Sequence, residues 1–126
     1  MLINDLTMIH FTRLHHVQIS IPPGKENEAR QFYTDILGLT EIPKPSVLNQ
    51  NGLWYEIAGT QLHIGVEEGI SKSKRHPAFE VTDLAAVRQY LTGKGVKIKD
   101  ETQIPGQARF SFFDPFDNRI ELLEWL

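Results

Sequence analysis

Two stretches of alternating apolar and polar residues open the two halves of the chain. In residues 14–21, Val17, Ile19 and Ile21 share one face, and His16 and Gln18 lie on the other. An alternation of period two predicts a half-buried strand. By the same alternation His15 falls on the apolar face, where we expect a core histidine. Residues 76–81 repeat the pattern, with His76 at the start.

Each alternating stretch is followed by a helical pattern and then by three more strands. Apolar residues recur every three or four positions, which predicts an amphipathic helix over 25–37 and a second helix that begins near Leu84, capped by Thr82 or Asp83. The remaining strands are predicted at 39–42, 53–57 and 61–67 in the first half and at 96–98, 109–113 and 119–125 in the second.

The order strand, helix, strand, strand, strand therefore occurs twice. We predict an α+β fold in a single domain, 1–126, built from two βαβββ modules whose helices cover the outer face of a curved mixed sheet. Module one spans about 13–67, a polar linker spans 68–75, and module two spans about 76–126. In this repeat His16 corresponds to His76, and His63 corresponds to Glu121.

One face of the predicted sheets is unusually polar. It carries His16, Gln18, Trp54, Glu56, His63, His76, Glu80, Arg109, Ser111 and Glu121. A face this rich in ionisable groups is either solvated or lines a site. Two histidines and a carboxylate in register favour a metal site, because imidazole and carboxylate together suit several divalent transition metals.

Composition narrows the possible functions. The chain has no cysteine, which excludes a thiolate nucleophile and suits a reducing cytoplasm. The formal net charge of −3 and the lack of a long basic run argue against nucleic acid as a partner. No apolar run approaches the roughly 20 residues of a membrane span, and residues 1–12 do not resemble a signal peptide.

Four segments in register resemble the vicinal oxygen chelate superfamily, which includes glyoxalase I, bleomycin resistance proteins, fosfomycin resistance thiol transferases and extradiol dioxygenases. The segments are Leu14-His15-His16-Val17-Gln18-Ile19, Phe32-Tyr33 through Leu37-Gly38-Leu39, Arg75-His76-Pro77-Ala78-Phe79-Glu80-Val81, and Asp114-Pro115-Phe116-Asp117-Asn118-Arg119-Ile120-Glu121-Leu122. The resemblance covers nearly the whole chain. It implies the same pair of βαβββ modules.

The resemblance implies a divalent metal ion (Zn, Ni, Fe, Co or Mn) held by His16, His76 and Glu121. Its fourth ligand position falls on His63, where glyoxalase I has glutamate or glutamine, so the role of His63 stays open between ligand and supporting residue. Asp117 also departs from the family, which usually has glycine at that position of the closing turn.

We also expect functional roles for other residues of the polar face. Glu56 or Glu121 is expected to move a proton, Arg109 to clamp an anionic substrate, and Gln18 to contact the substrate. Trp54 and Phe113, with Trp125, are expected to line an apolar pocket or a dimer interface. The plainer alternative for Glu56 and Arg109 is a solvated or paired charge.

The resulting expectation is a glyoxalase-type lyase or isomerase that binds vicinal oxygens of a small molecule through the metal. The alternatives are a fosfomycin-type thiol transferase, an extradiol dioxygenase and a metal-free drug-binding protein. We also expect a homodimer in which module one of each chain faces module two of its partner, so that His16 and His63 come from one subunit and His76 and Glu121 from the other. A monomer with an internal site is the alternative.

Overall fold

A computed structural model describes residues 8–69 and 73–126. Residues 1–7, and residues 70–72 of the predicted linker, lie outside the described part of the chain. Module one contains β1 (His16–Ile21), α1 (Glu26–Arg30) continuing as a π-helical segment (Gln31–Ile36), β2 (Thr40–Ile42), β3 (Leu53–Ile57) and β4 (Thr60–Val66). Module two contains β5 (Ala78–Glu80), α2 (Leu84–Gly93), β6 (Lys97–Asp100), β7 (Gln107–Phe113) and β8 (Arg119–Trp125).

Each module forms its own four-stranded mixed sheet, and the two sheets have equivalent strand orders. These are β1-β4-β3-β2 and β5-β8-β7-β6. The first strand of each module pairs in parallel with the last, and the remaining pairs are antiparallel. The α+β fold class and the repeated βαβββ order are therefore confirmed.

The helix-facing side of each sheet supplies the core, as the alternation predicts. The buried apolar cluster is shared by both modules and includes Tyr33, Tyr55, Leu62, Ile64, Phe110, Phe112 and Ile120. Removing such side chains from water is the main favourable contribution to folding. The opposite, polar side of each sheet remains available for a site.

The prediction for His15 is wrong. Strand β1 begins at His16, and both His15 and Leu14 are exposed. The alternation argument holds only within a paired strand, so it does not extend to residue 15. His15 instead lies beside His16, with 3.0 Å between the two Nδ1 atoms.

The start of α2 shows how a sheet residue can position a helix. Asp83 is the N-cap, and its carboxylate accepts a hydrogen bond from the backbone N–H of Ala86 at 3.3 Å. The Glu124 carboxylate, on β8, accepts from the backbone N–H groups of Asp83 and Leu84 at 2.8 and 3.0 Å. These bonds satisfy helix N–H groups that have no partner within the helix.

The two modules are joined by polar contacts around a turn. Buried Tyr33 of module one donates its hydroxyl hydrogen bond to Asp114 Oδ2 at 2.7 Å. Asn118 Nδ2 donates to the backbone carbonyl of Ser20 at 2.9 Å. Asp117, within this turn, has φ of 67°, a left-handed conformation that explains why glycine is favoured at this position and aspartate is tolerated.

Gly52 allows the loop between β2 and β3 to pass close to β4. Its φ is +80°, and a Cβ built on it would lie 2.1 Å from the carbonyl oxygen of Ile64. Gly59 has a similar φ of +76° but faces open space. Comparing substitutions at the two glycines therefore separates the cost of a left-handed backbone from the cost of a steric clash.

We expect Gly52→Ala to lower the free energy of unfolding by about 3 kcal/mol or more, since strain and a backbone clash act together. The matched control, Gly59→Ala, should cost about 1–2 kcal/mol from strain alone. Urea denaturation of both variants measures the difference. Equal losses would show that the close approach to Ile64 is relieved at little cost.

Candidate functional site

Module one places three rings in a stack on the polar side of its sheet. Trp54 on β3 lies directly opposite His63 on β4, and the ring centroids are 3.9 Å apart with an interplanar angle of 3°. On the other side of His63, the His16 ring lies at 4.0 Å and 15°. His63 is buried between its neighbours, and His16 is exposed. We call His16 and His63 half-site one.

His63 is held as a neutral imidazole. Burial, together with unfavourable electrostatic interactions with His16, His15 and Lys44, lowers the pKa of His63 from 6.5 to about 4. Its Nε2 lies 2.9 Å from the Gln61 side-chain oxygen, so Nε2–H donates and Nδ1 keeps its lone pair. A neutral imidazole with one nitrogen fixed by a hydrogen bond is the form in which histidine binds metals.

Module two brings His76 and Glu121 together. His76 Nε2 lies 3.1 Å from Glu121 Oε1, and His76 Nδ1 lies 2.8 Å from the carbonyl oxygen of Lys74. A carbonyl only accepts, so Nδ1 carries the ring proton. Nε2 of the neutral ring therefore presents a lone pair to a carboxylate. We call His76 and Glu121 half-site two.

Two acceptor atoms facing each other need a cation between them, either a proton on His76 or a metal ion. Ligand atoms at about 2.0–2.2 Å from one ion lie roughly 3 Å apart when they are adjacent. The separation between His76 and Glu121 matches that spacing. The histidine and carboxylate donors of the two half-sites therefore fit a divalent transition metal chemically.

The other oxygen of Glu121 is occupied by an arginine. Arg109 Nη1 donates to Glu121 Oε2 at 3.1 Å, and Arg109 Nε donates to the carbonyl oxygen of Thr102 at 2.9 Å. Glu121 is thus buried with a positive partner on one oxygen and His76 on the other. In this structure Arg109 orients Glu121, in addition to any contact it makes with a substrate.

One chain does not bring the four candidate ligands together. Within residues 8–69 and 73–126 there is no group of three or more histidine, aspartate or glutamate side chains arranged to hold a metal. His16 contacts His63, and His76 contacts Glu121, but the half-sites stay separate. The near-parallel rings of half-site one would also have to rotate to bind a single ion, because lone pairs in parallel planes do not meet.

The other predicted site residues flank the half-sites. Glu56 is exposed on β3, two residues along the strand from Trp54. Exposed Gln18 lies opposite His63 in the β1–β4 register, and together with His76 it lines a groove of about 640 Å³. Phe113 is partly buried beneath the Lys97 ammonium group, which lies 5.2 Å from the ring centroid.

Sequence reasoning did not identify Glu101, which forms a second charged cluster on the same face of module two. Its carboxylate accepts hydrogen bonds from Ser111 Oγ at 2.6 Å, from Lys99 Nζ at 3.0 Å and from Arg119. Only 7% of the side chain is exposed. Glu101 follows β6 in a stretch that reads as a loop, so no local pattern indicates that it turns inward.

Neither helix in the described part of the chain is long and apolar enough to cross a membrane.

Comparisons with known proteins agree with the fold. The sequence profile described as Glyoxalase/Bleomycin resistance protein/Dioxygenase superfamily matches residues 13–122. A glyoxalase family protein from Bacillus anthracis is 39% identical, with a TM-score of 0.87, covering 94% of this chain and 98% of that one. A search of curated proteins found no significant match.

Two more distant structures share the fold alone. The fosfomycin resistance protein FosX from Listeria monocytogenes is 19% identical with a TM-score of 0.74, covering 93% of this chain and 96% of that one. TnmS3, an antibiotic-binding protein from Streptomyces sp. CB03234, is 21% identical with a TM-score of 0.71, covering 93% and 100%. The same fold thus occurs in a resistance protein and in an antibiotic-binding protein, so the fold alone does not assign an activity.

The Glu101 cluster generates a pH prediction. Burial acts to raise the pKa of Glu101, but hydrogen bonds from Ser111, Lys99 and Arg119 outweigh it and lower the pKa from 4.5 to about 2. Between these values the unfolded chain binds more protons. The cluster therefore contributes stability that is fully present above about pH 4.5 and is lost as the pH falls towards 2.

We expect Glu101→Gln to lower the free energy of unfolding at pH 7 by about 2–3 kcal/mol and to flatten its pH dependence between 4.5 and 2. The control is Asp100→Asn, which removes the neighbouring exposed carboxylate and its ion pair with Arg88. It should change the stability and its pH dependence much less, because solvent screens an exposed pair. Denaturant titrations across that pH range measure both variants. If the Glu101→Gln variant keeps the pH dependence of the wild type, that dependence arises from other titratable groups.

Proposed function

The chain belongs to the glyoxalase/bleomycin resistance protein/dioxygenase superfamily, and we propose that it is a metal-dependent enzyme of the glyoxalase type. Its substrate would be an oxygenated small molecule that binds through two neighbouring oxygens, and its reaction a lyase or isomerase step. The observation that carries the proposal is the pair formed by His76 Nε2 and Glu121 Oε1, two ligand-type acceptors 3.1 Å apart.

The metal would be held by His16 and His63 of one chain and by His76 and Glu121 of a second chain. The separation of the half-sites supports this exchanged homodimer, since each chain carries both half-sites but, within its described residues, does not join them. When bound, the ion would supply Lewis-acid polarisation of the substrate oxygens. The identity of the metal is not selected by this donor set, which suits Zn, Ni, Fe, Co or Mn.

The remaining residues of the polar face would prepare the substrate for proton transfer. Glu56, an exposed carboxylate near half-site one, would accept a proton from a carbon next to the chelated oxygens. Arg109 keeps Glu121 oriented through Oε2, which leaves Oε1 directed towards His76. Trp54 and Phe113 would exclude water from the reacting carbon, and Gln18 would donate a hydrogen bond to the substrate. A cysteine-free chain suits this chemistry in the cytoplasm.

A metal-free binding protein is the second candidate, and the ring stack of module one favours it. Trp54, His63 and His16 form a face-to-face stack, and an aromatic ligand could extend it by stacking on the exposed His16 ring. Metal analysis of the purified protein distinguishes the candidates directly. A protein that takes up no divalent metal, yet binds aromatic compounds with quenching of Trp54 fluorescence, would replace the enzyme proposal.

Metal binding should stabilise the fold. A ligand that binds only the native state adds about 2.7 kcal/mol at 100-fold excess over Kd, which is roughly 10 °C in Tm for a domain of this size. We expect this gain for the wild type with at least one of the candidate metals and its loss in His76→Ala. The control, Gln89→Ala, removes an exposed polar side chain of α2 outside both half-sites and should keep this gain. Identical melting with and without each metal would count against the proposal.

Metal stoichiometry in mixed dimers tests the exchange of modules. His16→Ala and Glu121→Ala each remove one ligand from every site of their own homodimers. In a heterodimer of the two variants, an exchanged arrangement has one doubly damaged site and one intact site. We therefore expect half of the wild-type metal content in heterodimers purified through two different tags. Heterodimers that bind no more metal than either parent would place the site within one chain.

A further inference from the structure

An exposed apolar segment leads into half-site one. Residues 8–14, which we call the arm, lie outside the helices and strands. The arm exposes Met8, Ile9, Phe11 and Leu14, and Phe11 is 90% exposed. Four large exposed apolar side chains within seven residues form an unusually apolar surface for a protein in aqueous solution.

The arm leaves module one at a fixed point. The Thr60 hydroxyl donates to the backbone carbonyl of Leu14 at 3.2 Å and also to that of His15. His16, the first residue of β1, follows immediately. Whatever faces half-site one therefore has the apolar arm beside it.

A second exposed apolar surface follows half-site two. Trp125, at the end of β8, is 60% exposed and lies on the same face of the strand as Glu121. Leu126 is also exposed, and its backbone N–H donates to the carbonyl of Gly106 at 3.0 Å, which fixes the end of the strand.

The equivalence of the modules relates the two surfaces. In each sheet the first strand runs parallel to the last, so β1 and β4 correspond to β5 and β8. In the exchanged pairing, module one of one chain and module two of the other would be related by an approximate two-fold axis, and with that axis across the strands the facing strands run in opposite directions. The residues before His16 in one module then lie at the same end of the pair as the residues after Glu121 in the other.

The distances along the chain are also comparable. At about 3.3 Å per residue, Leu14 lies roughly 7 Å before His16, and Phe11 lies up to roughly 17 Å before it. Trp125 lies roughly 13 Å after Glu121 on the same scale. The two apolar surfaces can therefore meet at one edge of a shared site.

We propose that the arm of one chain packs against Trp125 and Leu126 of a second copy and closes one end of the site that the two chains share. This inference rests on the exchanged homodimer of the proposed function and adds the contact that covers both apolar surfaces. The partner is a second copy because, in the proposed homodimer, half-site one faces module two of the other chain, and the arm is continuous with half-site one.

Engineered cysteines test the contact without background, because the chain has no cysteine. Chains carrying Phe11→Cys or Leu14→Cys are mixed with chains carrying Trp125→Cys under subunit exchange and mild oxidation. A disulfide needs Cα atoms within about 7 Å, so only a close contact is trapped. The control is Val47→Cys mixed with Trp125→Cys, since Val47 is equally exposed, on a loop.

We expect a cross-linked heterodimer with at least one arm variant and little with Val47→Cys. Sedimentation analysis should also show that Phe11→Asp weakens the dimer at least tenfold, which is the effect of losing one well-packed apolar anchor, while Val47→Asp does not. The contact would be overturned if no cross-link formed or if the control cross-linked equally. It would also be overturned if a chain carrying both an arm cysteine and Trp125→Cys formed the disulfide within itself.

Metal content and oligomeric state of the wild type, measured in parallel, separate this inference from the proposed function. A metal-loaded dimer without the cross-link overturns the arm contact alone. A monomer without metal overturns the exchanged enzyme itself, and the arm contact with it.

Discussion

The arrangement of the modules depends on a buried hydrogen bond between Tyr33 and Asp114. The Tyr33 hydroxyl donates to Asp114 Oδ2 at 2.7 Å, and the same carboxylate accepts from the backbone N–H groups of Phe116 and Asn118 and from Asn118 Nδ2, each at 2.8 Å. Burial raises the pKa of Asp114, although these hydrogen bonds oppose the rise, and burial raises the pKa of Tyr33. A carboxylate removed from water in this way is stable only while its donors stay in place.

This bond couples the core of module one to the position of Glu121. The turn that Asp114 organises leads directly into β8, and Asn118 ties that turn to the backbone of Ser20 on β1. Glu121 follows three residues later, with its backbone N–H bonded to the carbonyl of Pro77. The position of half-site two therefore depends on a tyrosine in the helix of the other module, although Tyr33 is not itself a site residue.

The sequence predicts which residues share a face far better than it predicts which of them touch. Alternation places His16 and His63 on one face of module one, and the resemblance pairs His76 with Glu121. The stack with Trp54, by contrast, needs the β3–β4 register, which is set by the turn at Gly59. Glu101 is missed because its partners Ser111 and Arg119 lie on other strands, so its burial depends on long-range contacts. His15 is misplaced because backbone pairing, not apolar pattern, sets where β1 begins.

The charge balance of the half-sites limits what they can bind. Half-site one contributes no charge through His63, because burial is the main cause that lowers the pKa of that ring to about 4, well below neutral pH. Half-site two contributes the Glu121 carboxylate, whose charge is offset by Arg109 at 3.1 Å. The four candidate ligands with Arg109 are therefore close to neutral, unlike a cluster of carboxylates. A divalent ion bound by them would keep most of its positive charge, and electrostatic attraction would then favour ligands with negatively charged oxygens. Such charge balance suits an oxygen-rich ligand, but four protein ligands already complete a tetrahedral shell, so two substrate oxygens could join them only on an ion that accepts six ligands.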